Sequence, residues 1–481
     1  MGKNSESVFN SDSNKTSSVT NILSAKLDSI VSSDWFLRLT FVWFFIQASF
    51  FSLTTRFGLP PDETYHFTYI KLFAEQSPSP ILASQGNYFI LLEAIKNPFF
   101  LYHYLLSFPY LIFNLLPGPY IFLRFINVGL GIASLYMVYI IANQMKISKL
   151  ARNLSLFMLS NTLMFVFIFS AVSYDTLFIF LSLAGTYLLL QLQQKITAKR
   201  LLLFVVLVAA GIFVKINFLP IAALLIILFF VQYAKMAPRV TQSFKRTFSE
   251  NKKLNILLIV MLGFLLVLFA QRYVGNIVHY GKIVPDCDQV QSFDYCMKNS
   301  IFQRTQSLAS SNNQEVGVSA VSYILIWSKL MAQRTFGIYA HHIRFPGSNL
   351  IVGWVFVMAI TGFIHFAKLW KPKDRAVATV AVISLFYLVA LIAQNYFQTY
   401  KSSFNIELAV HGRYAFSVLP FIFLIIAQYS LKGLRSGLLK FLYIFTTLII
   451  FVFSGLPTYL HRSERTWYNR GTKNIIIHNK N

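Results

Sequence analysis

Long apolar runs alternate with short polar connectors along most of this 481-residue chain. A helix needs about 20 apolar residues to cross the roughly 30 Å hydrocarbon core of a bilayer, and many of the runs approach that length. Phe, Leu and Ile fill them without strict alternation of polar and apolar positions, which argues against a transmembrane β-barrel. The pattern therefore predicts an all-α polytopic membrane protein.

The apolar runs predict about eleven crossings with the N-terminus inside. They lie at 36–55, 119–143, 150–171, 176–194, 200–214, 219–234, 254–272, 349–368, 376–394, 413–431 and 438–455. Segment 98–116 is also apolar, and we expect it to dip into or lie along the outer interface. All the basic connectors then fall on one side, which the positive-inside rule assigns to the cytoplasm. If 98–116 crosses instead, connector 146–152 moves outside.

Three regions follow from this pattern. Residues 1–34, rich in Ser, Asn and Lys, are expected to form a flexible cytoplasmic tail. Residues 35–455 form the transmembrane domain, which carries long external loops at 56–97 and 273–348, and residues 456–481 form a C-terminal tail. A cleavable signal peptide is not indicated, because no small-residue cleavage site follows the first apolar run.

The chain is 56% hydrophobic and 12% charged, and its formal net charge is +25. In a soluble protein such a charge would suggest nucleic-acid binding. Here the basic excess lies largely in short connectors, where membrane topology explains it. We therefore expect no nucleic-acid partner, and we expect the basic surface to contact anionic membrane lipids.

Polar chemistry is concentrated where the first apolar run ends. Asp62, Glu63 and His66 follow the Pro60-Pro61 pair, in a chain with only 17 acidic residues. If a helix begins at Asp62, the side chains of Asp62 and His66 share one face, as in an acid/base or metal-binding site. The alternative is an ordinary helix start, where acids suit the macrodipole. Ionisable groups close to a bilayer are costly, which favours function, so we assign these three residues as catalytic candidates.

The same topology places five further polar residues on the outer face as substrate-binding candidates: Asp175, Lys215, His411, Arg413 and Tyr414. Asp175 could bind a sugar hydroxyl or cap the following helix. Lys215 could hold a phosphate as a point charge or extend to the interface. Arg413 suits bidentate phosphate recognition, with interfacial anchoring beside Tyr414 as the alternative.

Cys287 and Cys296, the only two cysteines, are nine residues apart in the second external loop. A disulfide is the favoured interpretation, because the outside of a cell is oxidising. Two thiols would need a reducing compartment. A zinc site is weaker still, since no Cys-x-x-Cys spacing is present.

With these motifs in order, the chain resembles the GT-C superfamily of integral-membrane glycosyltransferases, and more closely a bacterial family of GT-C-like membrane proteins. Four elements carry the resemblance: the Pro61-Asp62-Glu63-x-x-His66 loop, Asn97-Pro98-Phe99-Phe100-Leu101-Tyr102, Ser173-Tyr174-Asp175, and Gly412-Arg413-Tyr414 with Pro420. The second departs from the family's His-Pro-Pro-Leu-Tyr-Tyr pattern, because Asn97 and Phe99 replace its His and second Pro.

The resemblance implies transfer of a sugar from a polyprenyl-phosphate donor to a glycan, lipid or protein acceptor at the outer face of the cytoplasmic membrane. Asp62 would act as general base or orient the acceptor, and Arg413, with Lys215, would stabilise the phosphate leaving group. A divalent cation (Mg²⁺ or Mn²⁺) is one option for Asp62, Glu63 and His66. The alternatives are a surface-polysaccharide polymerase or ligase and a lipid-linked sugar transporter or flippase.

Overall fold

The computed structural model describes residues 21–75, 97–233, 237–297, 302–303, 306–307, 318–340, 343–371, 374–401, 405–407 and 410–469. Parts of three predicted regions lie outside the described residues: 1–20 of the N-terminal tail, 76–96 of the first external loop, and 470–481 of the C-terminal tail. Much of the loop between 298 and 317 also lies outside them.

The structure is about 81% helical, and the predicted all-α polytopic fold class is confirmed. The helices are α1 Asp34–Thr54, α2 Glu63–Glu75, α3 Leu101–Phe113, α4 Pro119–Gln144, α5 Lys149–Ser160, α6 Leu163–Phe169, α7 Asp175–Gln194, α8 Ala198–Gly211, α9 Phe218–Tyr233, α10 Ala237–Phe248, α11 Lys252–Phe269, α12 Gly275–Tyr280, α13 Cys287–Val290, α14 Phe293–Cys296, α15 Ala320–Phe336, α16 Asn349–Leu369, α17 Arg375–Gln394, α18 Leu419–Gly433, α19 Gly437–Ser454 and α20 Leu456–Arg462. Shorter 3₁₀ and π segments join several of them. A two-residue antiparallel pair, β1 Ile338–Tyr339 and β2 Arg344–Phe345, follows α15.

Within the described residues, seven helical segments are long and apolar enough to cross a membrane, and the pair α5–α6, bent by 67°, would make eight. The three remaining expected crossings are the helices α8, α9 and α18, of 14, 16 and 15 residues. At 1.5 Å per residue such helices are shorter than a hydrocarbon core of roughly 30 Å. Helix α3, in the apolar segment 98–116, has 13 residues and is shorter still.

The bent pair α5–α6 is almost wholly buried and forms the centre of the bundle. A helix break leaves backbone carbonyls that need donors. Polar side chains of α1 reach it, since Gln47 donates to the Ser160 carbonyl at 3.0 Å and Trp43 donates to the Asn161 side chain at 2.9 Å. Helix α7, also largely buried, packs between α4 and α8. Its N-terminus therefore reaches one end of the bundle with Asp175 as its first residue.

Both predicted tails contain ordered structure where they are described. Residues 21–32 are helical, although we expected residues 1–34 to be flexible. At the other end α20 lies within the predicted tail, and Tyr468 pairs with Thr55 in an isolated antiparallel bridge. Aromatic packing orders the C-terminal segment, since Tyr459, Trp467 and Tyr468 contact one another and bury most of their surface.

Candidate active site

The site begins at the tight turn between α1 and α2. Gly58 has φ +78° and Asp62 has φ +59°, so both adopt the left-handed region. Aspartate tolerates this conformation better than most residues, because its short side chain can hydrogen-bond locally. Helix α2 begins one residue later than expected, at Glu63, and the His66 amide donates to the Asp62 carbonyl at 2.9 Å. Asp62 thus immediately precedes the N-terminus of α2, and its side chain is 30% exposed.

Four predicted site residues from four chain segments form one charged cluster, which we call the outer quartet after the face on which the sequence predicts it: Asp62, Asp175, Lys215 and Arg413. The Arg413 Nη2 atom donates to Asp62 Oδ2 at 2.7 Å. Its Nε lies 3.5 Å from Asp175 Oδ2, and Lys215 forms an ion pair with the other oxygen of Asp175. Two carboxylates and two cations leave the quartet formally neutral, and only Asp62 in it is substantially exposed.

Lys215 lies in the turn between α8 and α9 and is 2% exposed. Its ammonium group is 4.6 Å from the ring centre of Tyr174 and 4.1 Å from that of Tyr414, an arrangement typical of cation–π contacts. Burial lowers the pKa of Lys215 to about 8, although the ion pair with Asp175 acts in the opposite direction. The predicted residue Tyr414 therefore contacts the quartet through Lys215.

A buried pair of histidines adjoins the quartet. His66 Nδ1 and His103 Nε2 are 2.9 Å apart, and the His66 ring lies 4.4 Å from the ring of Tyr174. Burial lowers the pKa of His66 to about 3, against the raising effect of Asp62. A neutral imidazole results, so the shared hydrogen bond has one ring nitrogen as donor and the other as acceptor. The pair links α2 to α3 beside the charged cluster.

Glu63, although adjacent to Asp62, lies in a different environment. Its carboxylate is fully buried and receives two hydrogen bonds from Arg124 of α4, each of 2.7 Å. The backbone amides of Gly58 and Val172 donate to the same carboxylate at 3.0 and 3.1 Å. Each carboxylate oxygen therefore already accepts two hydrogen bonds. We predicted a catalytic role for Glu63, whereas this geometry fits a residue that holds the backbone.

Several buried nitrogen atoms at the site make no hydrogen bond within the described structure. They are Nη1 and Nε of Arg413, Nε2 of His66 and Nδ1 of His411. Buried polar atoms usually have a partner, so a group of such atoms close together is typical of a binding site. His411 itself stacks edge-on against Tyr414 at 5.4 Å, and burial lowers its pKa to about 3. Arg413 is thus the cationic donor with unused hydrogen-bonding capacity.

The optional metal site is not assembled from the predicted residues. Among the residues that the structure describes, no group of three or more His, Cys, Asp or Glu side chains is placed to hold a metal ion. Glu63 is committed to Arg124, and Asp62 pairs with Arg413. Cys287 and Cys296 form a disulfide, which connects the short helices α13 and α14.

Two important residues were not singled out from the sequence. Arg124 carried a usable signal, because it is the sole charge in the 26-residue apolar helix α4, and a charge at that depth needs a partner. His103 carries no comparable signal, because its pairing with His66 depends on how α2 and α3 pack. No local pattern predicts that contact.

The chain was compared with known proteins. No family model matches it, and no curated protein matches it. Two solved structures are of the Archaeoglobus fulgidus oligosaccharyltransferase. The form tethered to an acceptor peptide matches 92% of this chain with 13% sequence identity and a TM-score of 0.44. The apo form matches 90% of this chain with 14% sequence identity and a TM-score of 0.43. A third structure is of the archaeal oligosaccharyltransferase AglB from the same organism, in complex with an inhibitory peptide and a dolichol-phosphate. It matches 89% of this chain with 13% sequence identity and a TM-score of 0.43.

This chain spans 59% of the length of each of these neighbours. Because the identity and the TM-scores are low, the chemistry of the site is interpreted from the chain's own residues.

Proposed function

We propose that this chain is a membrane glycosyltransferase of the GT-C type, which transfers a sugar from a polyprenyl-phosphate donor to an acceptor at the outer face of the cytoplasmic membrane. The observation that carries the proposal is the outer quartet, in which a buried guanidinium with unused donor atoms lies beside an exposed carboxylate. These are the two groups that sugar transfer from a phosphate requires.

Asp62 is the general base in this proposal. It is 30% exposed, whereas the Asp175 side chain is fully buried, so Asp62 is the carboxylate that an incoming acceptor can reach. The acceptor hydroxyl loses its proton to Asp62 as the acceptor oxygen bonds to C1 of the sugar. The C1–O bond to phosphate breaks, and its electron pair stays on the phosphate oxygen. A positioned base typically contributes ~10²–10⁴-fold to such a step.

Arg413 stabilises the phosphate leaving group. Its Nη1 atom is buried and makes no hydrogen bond in the described structure, so it can donate to a phosphate oxygen while Nη2 keeps its contact with Asp62. A guanidinium matches phosphate geometry better than an ammonium group does. Asp175 lies between Arg413 and Lys215 and forms an ion pair with each, so it holds both cations in place. No step is assigned to a metal ion, since the acidic and histidine side chains that the structure describes do not assemble a ligand set.

Membrane vesicles containing the full-length chain test the proposal through transfer of radiolabelled sugar from a panel of polyprenyl-phosphate donors. We expect transfer by the wild type and a loss of at least about 100-fold in Asp62→Asn. Asp34→Asn is the matched control, because Asp34 is 70% exposed at the opposite end of α1 and pairs loosely with Lys149 at 3.9 Å.

Equal transfer by the wild type and Asp62→Asn would show that Asp62 is not the base. Failure of every donor, combined with protein-dependent movement of the labelled lipid between leaflets, would favour a lipid-linked sugar transporter instead.

A further inference from the structure

The buried ion pair between Glu63 and Arg124 contacts the backbone at the end of α1, in the turn that follows it and in the segment before α7. Glu63 Oε1 accepts from Arg124 Nε at 2.7 Å and from the Val172 amide at 3.1 Å. Its Oε2 accepts from Arg124 Nη2 at 2.7 Å and from the Gly58 amide at 3.0 Å. Both side chains have zero exposure. The pair therefore has no surface open to a substrate, and its effects pass through the backbone.

Arg124 also fixes the end of α1. Its Nη1 atom donates to the carbonyls of Ser52 and Thr55 at 2.8 and 2.9 Å, which are among the last carbonyls of a helix and lack partners within it. The turn that carries Asp62 thus has both its ends attached to one guanidinium. The entry is attached directly to Arg124, and the exit is attached through Glu63.

The same carboxylate holds the segment that carries the second acid of the quartet. Val172, whose amide donates to Glu63, is three residues before Asp175. Gly58, whose amide donates to the other oxygen, is four residues before Asp62. Because both acids contact Arg413, their separation must suit a single guanidinium. The Glu63 carboxylate accepts a backbone hydrogen bond from each of the two segments that carry these acids.

We infer that Glu63 and Arg124 are positioning residues, which fix the turn carrying Asp62 relative to the segment carrying Asp175 and so set the spacing of the two acids around Arg413. The significance for catalysis rests on the proposed function, whereas the positioning itself does not. A misplacement of about 1 Å in a catalytic constellation can cost ~10²-fold in rate.

Glu63→Gln is the informative substitution, because glutamine keeps the size of the side chain but replaces one acceptor oxygen with an NH₂ donor. That donor would face Arg124 or a backbone amide, which are also donors. Hydrogen exchange measured by mass spectrometry on the full-length protein in detergent reads out the backbone without any substrate. We expect faster exchange in both 56–64 and 170–176 and unchanged exchange in the other described helices.

Asn153→Ala is the matched control. Asn153 is fully buried and donates to the carbonyls of Val31 and Ser33 at 2.8 and 3.2 Å, so its loss also removes buried hydrogen bonds to backbone, but near the start of α1. It should lower the melting temperature and raise exchange near Val31 while both site segments keep their protection. Glu63→Asp, which retains the charge, should give a smaller effect in the same two segments and serves if Glu63→Gln does not fold.

The kinetic result separates positioning from mere stability. In Glu63→Gln we expect kcat to fall about 10- to 100-fold with the donor KM within about threefold of wild type, because the acids are misplaced while phosphate binding is retained. Faster exchange in only one of the two segments, or an unchanged kcat per folded molecule, would overturn the inference. If the wild type transfers no sugar, the proposed function fails, and the exchange experiment still decides whether the pair holds both segments.

Discussion

Arg413→Gln tests the centre of the proposed site. The Arg413 side chain is 4% exposed and contacts Asp62 at 2.7 Å and Asp175 at 3.5 Å. Glutamine retains hydrogen-bonding atoms but has no charge. The outer quartet would change from formally neutral to a net charge of −1, and an incoming phosphate would meet two carboxylates with Lys215 as their single cationic neighbour.

The magnitude follows from the distances. Two unit charges about 4 Å apart, here the Arg413 guanidinium and a phosphate oxygen of the donor, interact by roughly 4 kcal/mol at an effective dielectric constant of about 20. Partial exposure of Asp62 screens part of this interaction, which leaves about 3 kcal/mol. Each 1.36 kcal/mol corresponds to about a tenfold change in rate, so transfer should fall by roughly 10²-fold. Loss of one transition-state donor in well-studied enzymes costs a similar ~10²–10³.

The assay is initial-rate sugar transfer by purified protein in nanodiscs, with the folded fraction measured by size-exclusion chromatography. Arg413→Lys, which keeps the charge but loses the planar fork, should retain more activity than Arg413→Gln. Lys401→Gln, at an exposed position that is not part of the quartet, is the control and should transfer at the wild-type rate. If Arg413→Gln stays within threefold of the wild type, Arg413 does not stabilise the leaving group.

Two further predictions concern the surroundings of Arg413. Because the pKa of Lys215 is lowered to about 8, its ammonium form is present below that pH and is lost above it, so transfer should decline on the alkaline side of about pH 8. Lys215→Arg should move this decline to higher pH, and an unmoved pH–rate profile would contradict the assignment. Gly412→Ala should displace Arg413 and lower both activity and melting temperature, because its Cβ would lie 2.3 Å from backbone atoms of α15. Gly353→Ala is the control, because its added Cβ would meet nothing within 4 Å; it should leave activity unchanged and the melting temperature unchanged or slightly higher. Equal effects of the two glycine variants would argue against this steric explanation.

The apolar runs determined most of the helices, because a chain in a bilayer must satisfy its backbone hydrogen bonds within each segment. Eight of the predicted crossings correspond to the seven long apolar helices and the bent pair, and the other three are helices of 14 to 16 residues. Hydropathy could not distinguish a short or bent helix from a full crossing, since it measures composition over a window. The bend in α5–α6 depends on donors from α1, which are distant in sequence.

The grouping of Asp62, Asp175, Lys215 and Arg413 could be predicted from sequence by topology, because all four lie at segment ends that a consistent topology places on one face. Which atoms pair was decided only by the tertiary structure. Asp62 and Arg413 are 351 positions apart in sequence, and hydropathy contains no information about such distances. The adjacent residues Asp62 and Glu63 differ in environment, because Asp62, at the left-handed turn, stays 30% exposed whereas Glu63 pairs with Arg124 in the interior. Sequence composition thus identified the charged residues, and helix packing selected their partners, because ion-pair energies depend on distances of a few ångströms.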